Sequence, residues 1–343
     1  MRPLRIQLIF EPASAEEFLR LGRLAEELGF DAAWTANHPA ARDPFLTFCL
    51  LARESSAIRV GPVAISPFEL HPLKMANSLL TLNEFAGGRA SLVVGGGGGT
   101  TIAMHLKAGR ASMFPRMVHG VRECVQFLRL AASGEPVDHR GELFQVDGYH
   151  ARWAAAQPAP LVYVGATRAQ MLRMAVEVAD GVMFSDLTAG RLAETMQIVA
   201  DALPRRERPG RPRLNNLYAW HVKRDRAEAA AEARRKLWVR GMVGRWYIEP
   251  FLEPAEVALV ENNMAGIIRA YVEDRPDIDD LPAALVDKLV EELTFCGDHG
   301  DIDRAVERCL EFKAAGIDEL ALRLYDDPEE SIRLIAATLG PEL

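Results

Sequence analysis

Cysteine is scarce in this sequence, and the few cysteines present form no recognisable pattern. The 343 residues include only four, which lie far apart, and no Cys-x-x-Cys occurs: Cys49, Cys124, Cys296 and Cys309. No cysteine and histidine set has the spacing of a zinc site, and no two histidines share one predicted element at metal-ligand spacing. The spacing argues against a disulfide framework and is typical of free thiols in a reducing compartment. We therefore assign no metal site and expect a cytoplasmic protein.

Long apolar runs and an excess of positive charge are also lacking. The N-terminal MRPLRIQLIF has a short apolar run before Glu11, which is too short for a secretory signal and favours a first strand. No stretch of about 20 apolar residues occurs, so we expect no membrane span. The formal net charge is -8, whereas nucleic-acid-binding proteins are usually basic. The expected partner is a small-molecule substrate, with no nucleic acid and no membrane.

The densest positive cluster does not change this conclusion. It runs from Arg205 to Arg213 as RRERPGRPR and is interrupted by Pro209, Gly210 and Pro212. Proline and glycine at this density are typical of a connection between elements. We predict a solvated loop.

Short apolar strands alternate with longer segments of helical periodicity along most of the chain. The predicted strands are Leu4–Phe10, Asp31–Ala36, Ile58–Ile65, Ala90–Val94, Leu161–Val164, Gly181–Ser185, Leu214–Val222 and Glu319–Leu324. The predicted helices are Ala15–Leu28, Pro44–Ser55, Leu73–Phe85, Phe114–Ala132, Arg168–Ala179, Ala189–Leu203, Asp301–Ala315 and Pro328–Leu339. Strict alternation implies a parallel sheet, and eight such units favour an α/β fold of the (β/α)8 TIM-barrel type. We predict a single domain over residues 1–343, with an excursion of short strands at about 134–153 and a helical insertion at about 225–282.

The most unusual local feature is a run of five glycines, Gly95 to Gly99, directly after the fourth predicted strand. In a (β/α)8 barrel this position lies on the C-terminal face, where active sites form. Glycine lets a flat ring or a phosphate approach the main chain closely. No lysine follows the run, so it is not a nucleotide P-loop, and the next predicted helix begins only at Phe114. A flexible surface loop is the alternative interpretation.

The neighbouring segments make the glycine run more informative. In chain order they read GFDAAWTANH, IRVGPVAISP, TLNEFAGGRASLVVGGGGG, VYVGAT and ADGV, and DIDRAVERCLEFKAAGIDELALRL follows near the end. Together they resemble the bacterial luciferase-like family of TIM barrels, which bind a flavin or a deazaflavin. The resemblance spans roughly Leu4 to Ser185 and is greatest to the methylenetetrahydromethanopterin reductase-like branch, which uses coenzyme F420. It implies F420 as cofactor, with FMN as the alternative, and a homodimer.

The resemblance also implies which residues hold the cofactor. Val63 and Ala64 would be joined by a cis peptide that lies behind the ring, and Asn37 stands where the family more often has aspartate. The remaining matched positions contact the ring and ribityl chain (Gly95, Gly96, Gly97 and Gly98) or the phosphate (Gly165, Ala166, Thr167, Arg168 and Ser185).

Two residues are implied as catalytic. His38, next to Asn37, matches a histidine that can sit near the reacting face of the ring, and a histidine can move a proton near neutral pH. Glu11, just after the first strand, is a candidate proton donor; Glu69 and Asp186 are further acids near the barrel mouth. Gly98 stands where the glucose-6-phosphate dehydrogenases of the family carry a catalytic glutamate, so that activity is not expected.

These observations favour an F420-dependent oxidoreductase that transfers hydride between the deazaflavin and a small organic substrate. The alternative within the same fold is an FMN-dependent luciferase-like monooxygenase that uses oxygen. A non-catalytic flavin-binding protein also stays open, because both the aspartate and the glutamate are replaced, at Asn37 and Gly98. An unrelated TIM-barrel aldolase would need a lysine at a strand end, and the predicted strand ends supply none. The sequence does not identify the substrate.

Overall fold

The strands of the protein follow the predicted order. The structure, a computed structural model, describes residues 3–11, 13–105 and 116–340. Its strands, numbered β1 to β11 along the chain, are Arg5–Ile9, Ala32–Ala36, Arg59–Ile65, Ser91–Val94, Val137–Arg140, Gln145–Tyr149, Leu161–Gly165, Gly181–Ser185, Arg213–Lys223, Thr294–Asp298 and Glu319–Arg323. All eight predicted strands are present, with ends displaced by at most one residue.

Eight of these strands form a closed parallel barrel. The hydrogen-bonded order is β1, β2, β3, β4, β7, β8, β9 and β11, and β11 also neighbours β1. The pairing of Gln7 with Ala32, and of Ala32 with Arg59, is parallel and in continuous register. Helices lie between successive strands, because a parallel pair needs a crossover connection. The predicted (β/α)8 fold is confirmed.

The helices also follow the predicted pattern closely. Their bounds are Ala15–Glu27, Cys49–Glu54, Pro72–Phe85, Gly99–Ala103, Met117–Ala131, Ala169–Val178, Ala189–Ala202, Arg226–Arg235, Arg245–Ile248, Pro254–Asn262, Met264–Val272, Ala283–Leu293, Ile302–Ala315 and Pro328–Thr338. The first helix shows the local reasons: the hydroxyl of Ser14 accepts a hydrogen bond from the Glu17 amide at 3.0 Å, and Gly29 follows the helix with φ 83°. Both are standard helix-end devices. Its buried side chains include Phe18 and Leu21.

Two predictions about local structure were wrong, and a third is not tested. A short helix, Gly99–Ala103, begins inside the glycine run, where none was expected. Pro44–Ser55 is not one helix, but a 3-10 turn at Leu46–Phe48 followed by Cys49–Glu54. The start predicted at Phe114 lies outside the described residues, and the described helix there is Met117–Ala131. Each error concerns an element end, where periodicity carries least information.

Beyond the insertion, the sequence did not reveal one further unit. The helix Ala283–Leu293 leads into β10, which pairs in parallel with the second half of β9, as at Thr294 and Ala219. The β10 sequence, TFCGD, is five residues long and has no alternation, so it gave no strand signal. The predicted excursion is confirmed as an antiparallel hairpin of β5 and β6.

The chain divides into two compact units, and the single domain predicted for residues 1–343 stays a prediction. One unit comprises Gln7–Met183 and Ile198–Leu214; the other comprises Met1–Ile6, Phe184–Gln197 and Asn215–Leu343.

In the first unit a polar chain of contacts is enclosed by the strands. The amide nitrogen of Gln7 donates to Asp31 at 2.8 Å, and the indole of Trp34 donates to Gln7 Oε1 at 2.8 Å. The Trp34 ring also packs edge-on against Tyr163, with centroids 5.8 Å apart. Because buried polar atoms cost free energy unless they are hydrogen-bonded, this pairing is what allows Gln7 to be fully buried.

The arginine-rich connection in the same unit is only partly solvated, which corrects the sequence-based prediction. Arg206 is half-buried, and its guanidinium donates to the carbonyls of Val176 at 2.6 Å and Ala179 at 2.9 Å. Arg208 pairs with Asp180 at 2.7 Å. The last carbonyls of the helix Ala169–Val178 receive no hydrogen bond from an amide of the same helix. The Arg206 guanidinium supplies the missing donors.

In the second unit the helical insertion has its own apolar core. Its fully or nearly fully buried side chains include Leu237, Val243, Ile248, Val257, Val260, Ile267, Leu285 and Leu289. The aromatic residues Trp238, Tyr247 and Phe251 pack against this core. They therefore contribute to the fold of the insertion.

A buried ion pair fixes the start of this insertion to the end of β8. The guanidinium of Arg240 donates to Asp186 Oδ1 at 2.6 Å and to the hydroxyl of Tyr325 at 2.8 Å. The second carboxylate oxygen of Asp186 accepts from the Gly241 amide at 3.0 Å and from Ser185 Oγ at 2.8 Å. Asp186 and Arg240 are only 0% and 1% exposed, so each charge depends on the other.

We expect Asp186→Asn to lower the free energy of unfolding by about 3 kcal/mol, because it leaves the Arg240 guanidinium buried without its counter-charge. Denaturant unfolding at neutral pH measures the change. The control is Glu261→Gln, which breaks the exposed pair with Arg245 and should cost less than about 1 kcal/mol. Equal losses in the two variants would contradict the importance of the buried pair.

Candidate active site

Half-exposed residues lie near the C-terminal ends of two strands of the first unit, β3 and β7. Along β3 the residues from Val60 to Pro62 are buried, whereas Val63 and Ala64 are half-exposed. Along β7 the same change occurs at Gly165. Because consecutive buried residues precede these positions, the exposure marks the edge of the core. This edge is where a barrel of this type carries its chemistry.

The pairing of β3 with β4 is interrupted at the same place. Val63 pairs with Val93 and Ile65 pairs with Val94, so Ala64 is an extra residue without a partner on β4. The Val63–Ala64 peptide is cis, as the resemblance implies. The amide of Gly95 donates to Ile65 O at 3.0 Å, and the amide of Asn37 donates to Val63 O at 2.9 Å. The main chain on both sides of Ala64 is therefore fixed.

Gly95 and Gly165 lie beside the Ala64 methyl group, and the Val93 side chain also lies next to Gly165. A Cβ added to Gly95 would lie 3.1 Å from the Ala64 methyl, and one added to Gly165 would lie 4.0 Å from it. A Cβ added to Gly98 would meet no atom of the described residues within 4 Å. The arrangement fits the flat ring of a flavin or deazaflavin, because such a ring needs close approach to the main chain.

The other two predicted cofactor glycines have structural explanations. A Cβ on Gly96 would lie 2.2 Å from Met117 Sδ. Gly97 has φ 96°, a conformation that favours glycine, and a Cβ there would also meet Thr101 at 2.4 Å. Packing and backbone conformation therefore account for Gly96 and Gly97 without a ligand.

Asn37 and Glu69 border this surface. The Asn37 side chain donates to Glu69 Oε1 at 2.6 Å and approaches Ala64 O at 3.4 Å. The same carboxylate oxygen accepts from the Ser66 amide at 2.8 Å. The other oxygen, Oε2, is buried without a hydrogen-bond partner among the described residues. Burial raises the pKa of Glu69 above its ordinary value, although the bonds from Ser66 and Asn37 oppose this shift.

Glu69 is the functional candidate that the sequence did not single out. It was one of three acids near the mouth, and only Glu11 was chosen. The signal was present in the segment Ser66-Pro67-Phe68-Glu69, a turn directly after β3 that folds the carboxylate back onto the Ser66 amide. Sequence alone does not show that one oxygen is left unsatisfied.

The two predicted catalytic residues lie together. His38 Nε2 is 3.0 Å from Glu11 Oε1, and the side chains are 32% and 40% exposed. The pair is charged on both sides only when His38 is protonated. Their contact allows the imidazole to be oriented by the carboxylate, but their catalytic roles stay predictions.

Not every backbone amide of the predicted phosphate loop is able to donate a hydrogen bond to a phosphate. The Ala166 amide already donates to Met183 O at 3.0 Å, so it is committed to the backbone network. Arg168 is exposed and occupies the N-cap position of the helix Ala169–Val178. The first amides of a helix have no acceptor within the helix, so residues at its first turn are better placed to donate to a phosphate.

The remaining predicted residue, Ser185, belongs to the second unit, where its hydroxyl donates to Asp186. His221, on β9, is a core residue of that unit. Its Nδ1 lies 2.7 Å from Glu232 Oε1, its ring stacks on Tyr325 with centroids 5.0 Å apart, and it is fully buried. Burial lowers the pKa of His221.

Two further searches cover the described part of the chain. No group of three or more histidine, cysteine, aspartate or glutamate residues there is arranged to hold a metal ion. No helix within it has the length and apolar character needed to cross a bilayer.

Curated relatives match about half of the chain. The 5,10-methylenetetrahydromethanopterin reductase of Archaeoglobus fulgidus is 30% identical over 163 residues, which are 48% of this chain and 47% of the relative. The enzyme of the same name from Methanolobus tindarius is 30% identical over 164 residues, 48% of each chain. The chain thus spans about half the length of the curated relatives it matches.

Solved structures match over the full length and show the fold. The coenzyme F420-dependent tetrahydromethanopterin reductase from Methanopyrus kandleri has TM-score 0.77 at 20% identity, covering 99% of both chains. An F420-dependent secondary alcohol dehydrogenase in complex with an F420-acetone adduct has TM-score 0.75 at 19% identity, covering 100% of both. The oxygenating constituent of 3,6-diketocamphane monooxygenase from Pseudomonas putida, in complex with FMN, has TM-score 0.67 at 20% identity, covering 99% of both.

The family match extends across nearly the whole barrel. Residues 6–319, from β1 into β11, match the family described as luciferase-like monooxygenase. The chain therefore belongs to the luciferase-like monooxygenase family, a family of oxidoreductases.

Proposed function

We propose that this protein is an F420-dependent oxidoreductase that transfers hydride between the deazaflavin and a small organic substrate. The observation that carries the proposal is the close approach of the Ala64 methyl group to Gly95 and Gly165, beside the hydrogen-bonded side chains of Asn37 and Glu69. The reductase relatives and the F420-dependent structures support this cofactor. We also infer a cytoplasmic homodimer with one domain.

Different residues would bind the ring and the phosphate of the cofactor. The methyl group of Ala64 and the main chain at Gly95 and Gly98 would contact the ring, and amides in the first turn of Ala169–Val178 would meet the phosphate. A bound deazaflavin supplies two electrons as a hydride and reacts poorly with oxygen. The protein's contribution is to place the ring with one face toward the substrate.

Glu69 is suited to hold a proton at this site. A raised pKa keeps a larger fraction of the carboxyl group protonated near neutral pH, and the unpartnered Oε2 has no competing acceptor or donor. Asn37 fixes the other oxygen and hence the orientation of the group. The contact of His38 with Glu11 is a second candidate route for a proton, and it is more exposed to water.

The alternative is an FMN-dependent monooxygenase of the same fold. The similarity to the FMN complex of 3,6-diketocamphane monooxygenase supports it. The two functions share the barrel and the ring site, so the cofactor decides between them.

Titration of the purified protein with F420 and, separately, with FMN tests the proposal. We expect F420 to quench fluorescence on binding with micromolar affinity, and FMN to bind about tenfold more weakly. The reverse order, together with oxygen consumption when reduced FMN is supplied, would favour the monooxygenase. Binding of neither cofactor would overturn both functions.

Gly98→Leu tests whether the cofactor occupies the space beside the glycine run. Because no atom of the described part of the chain lies within 4 Å of the added Cβ, the variant should unfold at the same denaturant concentration as the wild type. It should nevertheless bind F420 at least about tenfold more weakly, because the side chain would occupy the ring site. Unchanged F420 affinity in a stable variant would place the cofactor elsewhere.

Glu69→Gln should become more stable relative to the wild type as the pH rises. A carboxyl group with a raised folded-state pKa contributes stability fully at low pH and loses it above the ordinary glutamate pKa of about 4.3. Unfolding free energies measured from pH 4 to pH 8 would show the difference growing. Glu135→Gln, at an exposed position, provides the control and should show no such trend. A flat difference for Glu69→Gln would mean that the carboxyl group is well solvated.

A further inference from the structure

A second cavity lies within the first unit, at the end opposite to the candidate active site. Its volume is about 560 Å³, which is within the range of small-molecule sites. Leu161 and Val162, at the beginning of β7, form part of its wall, whereas the glycine surface lies at the other end of that strand, at Gly165. The strand thus separates the two sites.

The wall of this cavity is partly apolar and partly basic. Apolar contacts come from Leu128, Leu130, Pro160 and Leu161, and polar ones come mainly from Arg129, His139, Asp180, Glu207 and Arg208. The His139 ring packs against Phe127, with centroids 5.7 Å apart, and burial lowers its pKa. A histidine of this kind is neutral at physiological pH and serves as a hydrogen-bonding group rather than as a charge.

Both acids of the wall are in ion pairs, although Arg122, the partner of Glu207, also pairs with Glu177. Asp180 pairs with Arg208 at 2.7 Å and accepts from the Val162 amide at 2.9 Å. Glu207 pairs with Arg122 at 2.9 Å. Neither carboxylate therefore repels an incoming anion with its full charge.

Arg129 is different, because it has no carboxylate partner among the described residues. Its Nη1 donates to Val178 O at 3.3 Å, and its Nε has no hydrogen-bond partner. Its pKa is lowered by burial and by the charge of Arg208, while the charges of Asp180 and Glu207 oppose this shift. Arg206 nearby also donates to neutral carbonyls only. The guanidinium of Arg129 remains charged at neutral pH. The cluster therefore has four arginines (Arg122, Arg129, Arg206 and Arg208) against three carboxylates (Glu177, Asp180 and Glu207), an excess of one positive charge.

We propose that this cavity binds a small organic anion, a carboxylate on a compact apolar body. The carboxylate would pair with Arg129 and accept hydrogen bonds from other polar groups of the wall. The apolar body would pack on Leu130, Pro160 and Leu161. A buried cation without a counter-charge is costly, and an arginine is well suited to bind a carboxylate. This site is independent of the cofactor proposal.

Benzoate is the probe, and benzamide is its neutral match. Calorimetric or NMR titration of the full-length protein should show millimolar or tighter binding of benzoate, with benzamide about tenfold weaker. Arg129→Met should weaken benzoate binding about tenfold while keeping the apolar stem of the side chain. Arg173→Met, on an exposed face away from the cavity, should leave binding unchanged.

A second variant does not depend on replacing a half-buried arginine. Leu130 is 48% exposed, so Leu130→Glu should fold and should weaken benzoate binding by repulsion, whereas Leu130→Gln should not. Equal affinity for benzoate and benzamide, or undiminished benzoate binding in both Arg129→Met and Leu130→Glu, would overturn the proposal. So would the absence of benzoate binding at millimolar concentration.

Discussion

The pairing of β3 with β4 across the interruption at Ala64 is the constraint on which the candidate active site depends. The two strands approach so closely that a Cβ on Gly61 would lie 1.8 Å from Ser91 O. Further along, Val63 and Ile65 are paired and Ala64 is not. The extra residue turns its methyl group and carbonyl out of the ladder, toward Gly95 and Asn37. Without this close pairing the main chain at Ala64, against which the ring would lie, would not be held in position.

Polar groups beside that surface are held both by the backbone and by one another. The Ser66 amide and the Asn37 side chain fix one oxygen of Glu69 and leave the other unsatisfied. A half-buried carboxyl group of this kind stays ready to exchange a proton, because its neutral form is favoured by burial. The buried Asp186–Arg240 pair shows the opposite solution, since each of its charges is compensated and its role is to hold the insertion in place.

The ionic groups near the second cavity also include both compensated charges and arginines without an ion-pair partner among the described residues. Asp180 and Glu207 each have an arginine partner, whereas Arg129 donates only to a carbonyl. Charge balance, rather than the number of charges, therefore distinguishes a structural cluster from a candidate binding site. The arginine-rich connection of residues 205–213 contains an arginine of each kind. Arg206 donates only to carbonyls, whereas Arg208 pairs with the carboxylate of Asp180.

The sequence by itself determined the barrel and the approximate position of its active face. Apolar strands bounded by glycine and polar residues are local signals, and alternation with helices leaves little choice of topology. The resemblance proposes Asn37, His38 and the glycines as site residues, and the cis peptide that it implies at Val63–Ala64 is present. The tertiary structure alone decided which oxygen of Glu69 is unsatisfied, why Gly96 and Gly97 are glycines, and that β10 pairs with β9. These features depend on contacts between residues distant in sequence, and no local pattern records such contacts.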